Sequence, residues 1–536
     1  MITATTKTAR TLSGAGKYTG SWGKDQVMHL LRRTMFAVKK SDLDYFMSKT
    51  MEQAVDELLT APSTLPDPPV NNYNNARITD PDIPLGETWV NGPANPALTG
   101  ARRNSWKSWW VGTMVNQGRT IQDKLTLFWH NHFATETNVY REPIHAYNHG
   151  ETLRAGALGN FRSLVMAVTI DPAMLIYLNG NKNTAQAPDE NYARELQELF
   201  TLGKGPDSKY TEEDVREAAR VLTGWRINRA TNVTYFDARQ HDVNDKKFSA
   251  FFNNTTITGR SGTEAGEQEL NDLLDMIFDQ DEVARHIVRK LYRWFIYYDI
   301  DEAAEQNVIQ PLAQVFINNN YEIKPLLDAF FKSEHFFDPI NYGCLIKSPL
   351  DYSVGLARQF NLDIPTDRDV ANQYYFWNIL WQVAFIQQQD LGDPPSVAGW
   401  PAYYQVPQFH EIWINTDTLP KRNQITDILI AAGMSRGGHT MQIQPIAIAD
   451  MFSKPEDPNA LIDDLVDFLH TLDANEDQKE YMKSILLAGQ LNDSYWTQAW
   501  NDHKADPDDV TKKNTVLLRL MQLLKYLMNL AEFQLS

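Results

Sequence analysis

With 536 residues, 43% of them hydrophobic and 11% aromatic, the chain has the composition of a folded protein, which excludes an intrinsically disordered one and predicts two or three packed lobes. Its 50 basic and 68 acidic side chains give a net charge of −18, and so acidic a surface repels phosphate and excludes a nucleic-acid partner. The single cysteine, Cys344, excludes an intrachain disulfide, a zinc–thiolate cluster or an iron–sulfur centre built from this chain alone.

The first 23 residues form a polar leader, rich in small residues, that we expect to be flexible. They contain no apolar stretch, so no conventional signal peptide is expected and a cytoplasmic location is the default. No run of about 18 apolar residues occurs, and we therefore expect no membrane span. Residues 24–60 show helical spacing, and a capping-box pattern at 41–44 predicts where the second of their helices begins.

Residues 61–100 are rich in proline, asparagine and glycine. The segment is too long for a turn, so we expect an extended loop over the surface, with a disordered linker as the alternative. Helical patterning returns in a central region, 101–260. Its last part, 233–259, alternates Thr, Tyr, Phe and Val and predicts a short β-hairpin, the sole β element expected. The helices predicted in this region cover 104–115, 120–132, 149–168, 188–202 and 211–224.

Three residues of the central region predict helix ends. Thr211 begins a capping pattern, and Gly203 and Gly224 occupy positions typical of helix C-termini. The chain is therefore expected to be mainly α, a multi-helical globular protein with long loops and at most a small hairpin. The remaining regions are a helical one at 261–390, a Pro/Gly/Trp loop at 391–415 and a second helical one at 416–536.

The run LTLFWHNHF at 125–133 carries the first candidate site, since it places His130 and His132 in an apolar and aromatic segment. A buried imidazole is costly unless its nitrogens have partners. If one helix continues through His132, the two rings lie on different faces, whereas a helix ending near residue 129 would present them together. The alternatives are core histidines bonded to backbone carbonyls, or a metal or catalytic site.

The segment PDENYARELQELFTLG at 188–203 carries the second candidate site. Glu190, Arg194 and Glu198 are spaced by four residues, so one helix face can carry a Glu–Arg–Glu ladder. Glu195 and Glu198 have the spacing that lets two carboxylates converge on a metal in helical bundles. The alternative is a solvated face of ion pairs, each worth ~0.2–0.5 kcal/mol.

Two further groups of polar residues follow. Arg220 lies on the 211–224 helix among glutamates, before Trp225, and indicates a structural ion-pair lattice more than a catalytic one. His241 and Asp242 are adjacent, and such a pair can be a metal ligand set or a general base with its orienting carboxylate, or an exposed loop pair. The P-loop, dinucleotide-binding, zincin and nucleophile-elbow motifs are absent from the sequence.

Together these segments resemble the bacterial family named domain of unknown function 1800 (DUF1800), of which the chain is identified as a member. No single block is specific, but the blocks follow the family's order across nearly the whole chain. They lie at 29–36 (HLLRRTMF), 128–133 (FWHNHF), 157–161 (ALGNF), 171–178 (DPAMLIYL), 188–203, 210–225, 284–295, 393–401 (DPPSVAGWP) and 413–415.

The resemblance implies several things about the site. The family pattern keeps Asn131 and His132, whereas the position of His130 varies, which favours the former two over a pair of histidine ligands. Some relatives carry histidine at the position of Phe200, so a metal site that needs it would be lost here. The block at 393–401 resembles a rigid loop that presents Trp400. Relatives are often exported and encoded beside a sulfatase-like family, DUF1501, which implies a partner of that type.

The leading hypothesis is a hydrolase acting on an envelope or environmental polymer such as a glycan, with a divalent metal ion as the possible cofactor. Its rival is a non-catalytic helical scaffold, or a module that binds a glycan or a DUF1501-type partner. A third alternative is a buried polar network that only fixes the packing. The hydrolase hypothesis assigns His132, Glu190, Arg194 and Glu195 to catalysis, Asn131, Arg220, Trp225 and Trp400 to substrate binding, and His132, Glu195, Glu198, His241 and Asp242 to a metal. The binding hypothesis draws on Trp89, Trp106, Trp109, Trp110, Trp400, Tyr403 and Tyr404 as aromatic platforms.

Overall fold

The computed structural model describes residues 9–405 and 409–536, and the fold is mainly α, as the sequence predicts. Within these ranges, no helix is both long and apolar enough to cross a bilayer. The first twelve helices are α1 Lys24–Thr34, α2 Lys40–Phe46, α3 Met51–Leu58, α4 Thr99–Asn116, α5 Gln122–His132, α6 Thr137–Tyr140, α7 Pro143–Gly156, α8 Phe161–Thr169, α9 Pro172–Tyr177, α10 Asn191–Glu195, α11 Glu212–Val221 and α12 Ala265–Phe278.

The second half of the chain is also helical. The helices there are α13 Asp281–Phe295, α14 Glu302–Ala304, α15 Gln310–Asn318, α16 Ile323–Phe331, α17 Pro349–Gln359, α18 Val370–Phe385, α19 Thr418–Ala431, α20 Pro445–Ala449, α21 Pro458–Leu469, α22 Glu476–Leu486, α23 Ser494–Ala505 and α24 Val510–Asn529. Two π-helical segments, Leu196–Thr201 and Glu305–Ile309, continue α10 and α14. Single 3₁₀ turns lie at Gly180–Lys182, Ala238–Gln240, Ala250–Phe252, Pro339–Asn341, Asp367–Asp369, Pro401–Tyr403, Phe409–Trp413 and Ala531–Gln534.

The helices bury one continuous hydrophobic cluster that runs from Val27 to Phe533. Within it α4 packs against α18, α5 against α7, α13 against α15 and α19 against α24. The aromatic run of α5 lies in this core, where Trp129 stacks on Phe161 of α8 at a ring distance of 5.5 Å. The candidate site residues of α5 are therefore held by close packing on all sides of the helix.

The β structure consists of short antiparallel pairs. In the central region β1 Trp225–Asn228 pairs with β2 Val233–Phe236, and β3 Lys246–Lys247 pairs with β4 Thr256–Ile257. A third pair, β5 Met434–Arg436 and β6 His439–Met441, lies near the C-terminal helices, so the expectation of a single β element was wrong. Its turn is Gly437–Gly438, both with positive φ, which is a hairpin signal that the sequence carries.

The predicted helix at 149–168 was wrong, because the structure has two helices there. α7 begins earlier, with Pro143 in its first turn, and ends at Gly156. Asn160 then starts α8 by accepting a hydrogen bond from the backbone of Ser163. A glycine end and an asparagine cap outweigh the apolar spacing that links the two helices.

The predicted helix caps have mixed outcomes. The pattern at 41–44 is wrong as a helix start, since α2 begins at Lys40 without a side-chain cap. Gly203 and Gly224 have φ of +80° and +98°, which confirms them as helix ends that favour glycine. Thr211 is confirmed as the N-cap of α11, in a reciprocal capping box with Asp214.

The Thr211 cap gives a stability prediction. Replacing Thr211 with alanine removes an acceptor for the backbone of α11 and should lower the free energy of unfolding by about 1 kcal/mol. The control is Thr511→Ala, since no hydrogen bond of that hydroxyl is found in the described parts of the chain. Urea unfolding of the two variants tests this, and equal midpoints would show that the Thr211 cap contributes nothing.

Candidate functional site

Helix α5 continues through His132, so His130 and His132 diverge as the helical geometry predicts. His130 lies on the face that meets the 391–401 loop, where its Nε2 accepts a hydrogen bond from the backbone of Gly392 at 3.2 Å. Burial, and then the nearby charge of His149, lowers the pKa of His130 to about 3. His130 is therefore a neutral acceptor that fastens a loop.

The side chain of His132, the last residue of α5, contacts the C-terminal end of the π-helical segment Leu196–Thr201. Its Nε2 is 3.1 Å from the carbonyl of Phe200, which can only accept, so Nε2 carries the proton. Its Nδ1 then accepts from Lys290 Nζ at 3.1 Å, and that ammonium also donates to the carbonyl of Leu199 at 3.2 Å. His286 donates to the same Leu199 carbonyl at 3.1 Å. These three side chains cap the carbonyls that a helix end leaves unpaired.

Burial shifts the titration of His132 and Lys290 toward their uncharged forms. Burial, followed by the charges of Lys290 and His286, lowers the pKa of His132 well below its ordinary value. Burial also lowers the pKa of Lys290 to about 7, with Arg293 as the next cause. Both ring nitrogens of His132 are engaged by protein groups, so the catalytic and metal-ligand roles predicted for this histidine have no free lone pair here.

Asn131 and Trp400 were both predicted to bind substrate. In the structure they join α5 to the 391–401 loop. The Asn131 side-chain oxygen accepts a hydrogen bond from the backbone of Trp400 at 2.9 Å. Gly399 has φ of +90°, and a Cβ there would overlap Asn131. The Trp400 side chain is fully buried and packs on His130, so it cannot stack on a ligand, and its role is corrected to fixing the loop.

The tryptophans among the predicted aromatic platforms are core residues. Trp225, predicted to bind substrate, is 8% exposed and packs on Phe236. Tyr404, at 45%, is exposed, and Tyr403 is half-buried. Large rings at the buried positions contribute packing, and these tryptophans form no stacking surface. The other buried members are Trp89, Trp106, Trp109 and Trp110, each 6% exposed or less.

The predicted Glu–Arg–Glu ladder forms only in part. Arg194 pairs with Glu190 at 3.0 Å and with Glu212 of α11 at 2.7 Å, on the surface. Its predicted partner Glu198 instead pairs with Lys204. Glu190 and Arg194 are each more than 30% exposed, so their ion pairs contribute about 1 kcal/mol or less and join α10 to α11.

Arg220 pairs with Glu217 of its own helix, as the lattice hypothesis expects, and also with Asp242, which that hypothesis did not include. Arg220 binds Asp242 at 2.8 Å and Glu217 at 2.7 Å. Burial disfavours the Asp242 carboxylate, but hydrogen bonds from Arg220 and Asn244 outweigh it and lower its pKa to about 2. Both groups are saturated by protein partners, which leaves Arg220 without the free donors that substrate binding would need.

His241 belongs to a separate, fully buried network. Its Nδ1 is 2.9 Å from the carbonyl of Thr223, and its Nε2 is 3.1 Å from Glu269 of α12. The other oxygen of Glu269 binds Lys246 at 2.5 Å, with both side chains at 0% exposure. His132 and His241 therefore have entirely different partners. In the ranges 9–405 and 409–536, no three His, Cys, Asp or Glu side chains are grouped to hold a metal ion.

Glu195 differs from the other predicted carboxylates because protein partners do not saturate it. It lies where α10 passes into the π-helical segment, a feature common at functional sites. Its Oε2 is buried and has no hydrogen-bond partner among the described residues. Burial, and then the neighbouring Glu198, raises the pKa of Glu195 above its ordinary value. Glu198 itself pairs with Lys204.

Two tyrosines and a glutamate complete this acidic pair, and sequence reasoning missed all three. Tyr177 donates a hydrogen bond to Glu136 at 3.1 Å, and Glu195 is among the charges that act on its hydroxyl. Burial, followed by Glu198, raises the pKa of Tyr210 to about 12. Because these residues come from segments distant in sequence, no local spacing could have indicated them.

The acidic pair has the chemistry of a proton-transfer site. Glu195 is held toward its protonated form, whereas Glu198 forms an ion pair with Lys204. Two titratable groups whose environments separate their protonation states are the usual arrangement for general acid–base catalysis. We define this group, Glu195, Glu198, Tyr177, Tyr210 and Glu136, as the Glu195 cluster.

Comparison with known proteins adds one finding. Neither the curated proteins nor the solved structures provide a match to this chain. A family model described as "Protein of unknown function (DUF1800)" matches residues 29–535. The match covers nearly the whole chain, so the chain belongs to the DUF1800 family.

Proposed function

We propose that this protein is a hydrolase acting on an envelope or environmental polymer, with Glu195 as the proton donor to the leaving group. The observation that carries this is the buried, unpartnered Oε2 of Glu195 beside Glu198. A carboxyl group whose pKa is raised can donate its proton to an oxygen as the bond from that oxygen to carbon breaks.

A glycan is the polymer class that this pair of carboxylates supports. Glycoside hydrolysis typically uses one carboxyl group as acid and a second as base or nucleophile. In the proposed reaction Glu195 gives its proton to the glycosidic oxygen, and Glu198 accepts a proton from the attacking water. The net change is the addition of one water across the C–O bond: Glu198 then releases its proton to solvent, and Glu195 takes one up.

A second candidate is a non-catalytic module that works with a DUF1501-type partner. It is favoured by the saturation of His132, Arg194, Arg220 and Asp242 through contacts within the chain. A protein of this kind would use the polar networks for rigidity alone. The two candidates differ in whether a polymer is cleaved.

The test is hydrolysis of a panel of polysaccharides, read as release of reducing ends. Glu195→Gln keeps the size of the side chain but cannot donate a carboxyl proton, and a loss of about 10²–10⁴-fold is expected. The matched control is Glu213→Gln, an exposed carboxylate paired with Arg216, which should keep full activity. Equal rates for wild type and Glu195→Gln, or no cleavage of any glycan, would contradict the proposed function.

A further inference from the structure

A cleft of about 420 Å³ shares no lining residue with the Glu195 cluster. It is bounded by residues 89–94, by the first turns of α7 and by the 229–232 turn between β1 and β2. Its volume is in the range of cavities that hold small organic ligands. Of the residues that the sequence assigned to ligand binding, Trp89 lines this cleft.

The walls of the cleft are fixed before any ligand arrives. Arg102, at its base, donates to the carbonyl of Pro93 at 2.7 Å and pairs with Asp80 at 2.7 Å. Trp89 is held from behind by a hydrogen bond from its indole to Ser105 at 3.1 Å. On the opposite side the turn is closed by Asn232, whose backbone N–H donates to Asn228 at 2.7 Å. Such a preformed site loses little entropy on binding.

Polar side chains, mostly exposed, line this cleft without hydrogen-bond partners in the described structure. Asn91, Asn148, Asn232 and Thr231 line it, and no side-chain hydrogen bond of these four is found within the described ranges. Amide and hydroxyl groups without protein partners can each donate and accept hydrogen bonds with a ligand. Val90, Pro143 and Ile144 supply an apolar surface between them.

The charge of the cleft favours a neutral ligand. Arg102 is neutralised by Asp80, and the two other charged lining residues, Glu142 and Arg229, have opposite signs. An anion or a cation would meet one repulsive group for each attractive one. A ring with hydroxyl groups at its edge and C–H groups on its face matches both the amides and the apolar surface.

We propose that this cleft binds a neutral saccharide unit, with Asn91, Asn148 and Asn232 hydrogen-bonding its hydroxyls. This second site shares its ligand class with the proposed function but does not depend on turnover at Glu195. A chain anchored in the cleft would raise the local concentration of polymer at the protein.

The test is isothermal titration of the Glu195→Gln protein, in which cleavage is expected to be about 10²–10⁴-fold slower. The ligands are cellotriose, maltotriose, tri-N-acetylchitotriose and, as control, trialanine. At least one trisaccharide should bind, and Asn91→Ala/Asn148→Ala should weaken it about tenfold or more. Ala230→Trp, which places an indole from the exposed turn into the cleft, should abolish binding. Asn501→Ala, an exposed asparagine outside the cleft, should leave binding unchanged.

Unchanged affinity in the double variant and in Ala230→Trp would overturn the assignment, as would tighter binding of trialanine or no binding of any trisaccharide. Circular dichroism of each variant confirms that it is folded. If the cleft binds a trisaccharide but wild type hydrolyses no glycan, the saccharide site stands and the proposed function is rejected. If wild type hydrolyses a glycan but the cleft variants do not change binding, the proposed function stands and the saccharide site is rejected.

Discussion

Replacing Lys246 with methionine is expected to lower the free energy of unfolding by about 3–5 kcal/mol. Lys246 is fully buried, and its ammonium binds Glu269 and the carbonyl of Asp242. The methionine variant leaves Glu269 buried with His241 as its remaining side-chain ion-pair partner in the described structure. A buried carboxylate that loses its lysine is only partly compensated, and this costs far more than the net value of the lost pair.

Chemical denaturation measures this effect, and the neighbouring Lys247 offers a matched control. Lys247 is exposed, so Lys247→Met should change stability by about 0.5 kcal/mol or less. The double variant Lys246→Met/Glu269→Gln should recover part of the loss, because the unpaired carboxylate is gone. Similar stabilities for Lys246→Met and Lys247→Met would contradict a buried charge network that locks the hairpins onto α12.

The second large effect is a pH dependence that comes from Lys290. Burial lowers the pKa of this amine from 10.5 to about 7, so between these values the unfolded chain binds more protons than the folded one. Stability from this group therefore rises with pH. Between about pH 6 and about pH 9 the gain is about 2–3 kcal/mol.

Lys290→Met removes this titration, and groups that do not interact with Lys290 cancel in the comparison of the two proteins. Lys347, whose pKa is also lowered to about 7 by burial and then by Arg32, is present in both proteins and cancels in the comparison. The stability of wild type minus that of the variant should increase across this pH window. A difference that stays constant with pH would mean that Lys290 titrates alike in the folded and unfolded chains.

The sequence predicted the fold class, and the reasons are local. Apolar spacing and the Thr211 capping pattern are short-range signals that the structure keeps in α11. The same spacing failed between α7 and α8, where Asn160 begins a new helix. Short hairpins such as β5–β6 carry little periodicity, so a Gly–Gly turn was their main signal.

Less of the candidate site could be predicted. The sequence indicated Glu195 and Glu198 because they share one helix face, but it also grouped them with His132 and His241. The structure separates these residues, since His132 caps a helix end and His241 faces α12. The partner of a polar side chain depends on contacts between segments distant in sequence. Lys290 of α13, for example, contacts both His132 of α5 and the carbonyl of Leu199 in the π-helical segment. Residue spacing along one helix does not indicate such contacts.

The role of Glu195 as proton donor is tested most directly by the leaving-group dependence of its variants. A glycoside with a 2,4-dinitrophenyl leaving group departs without protonation, whereas an oligosaccharide needs the acid. Glu195→Gln should therefore lose about 10²–10⁴-fold in kcat/KM on the oligosaccharide and keep nearly full activity on the dinitrophenyl glycoside. Equal losses on both substrates, or no loss on either, would contradict proton donation by Glu195.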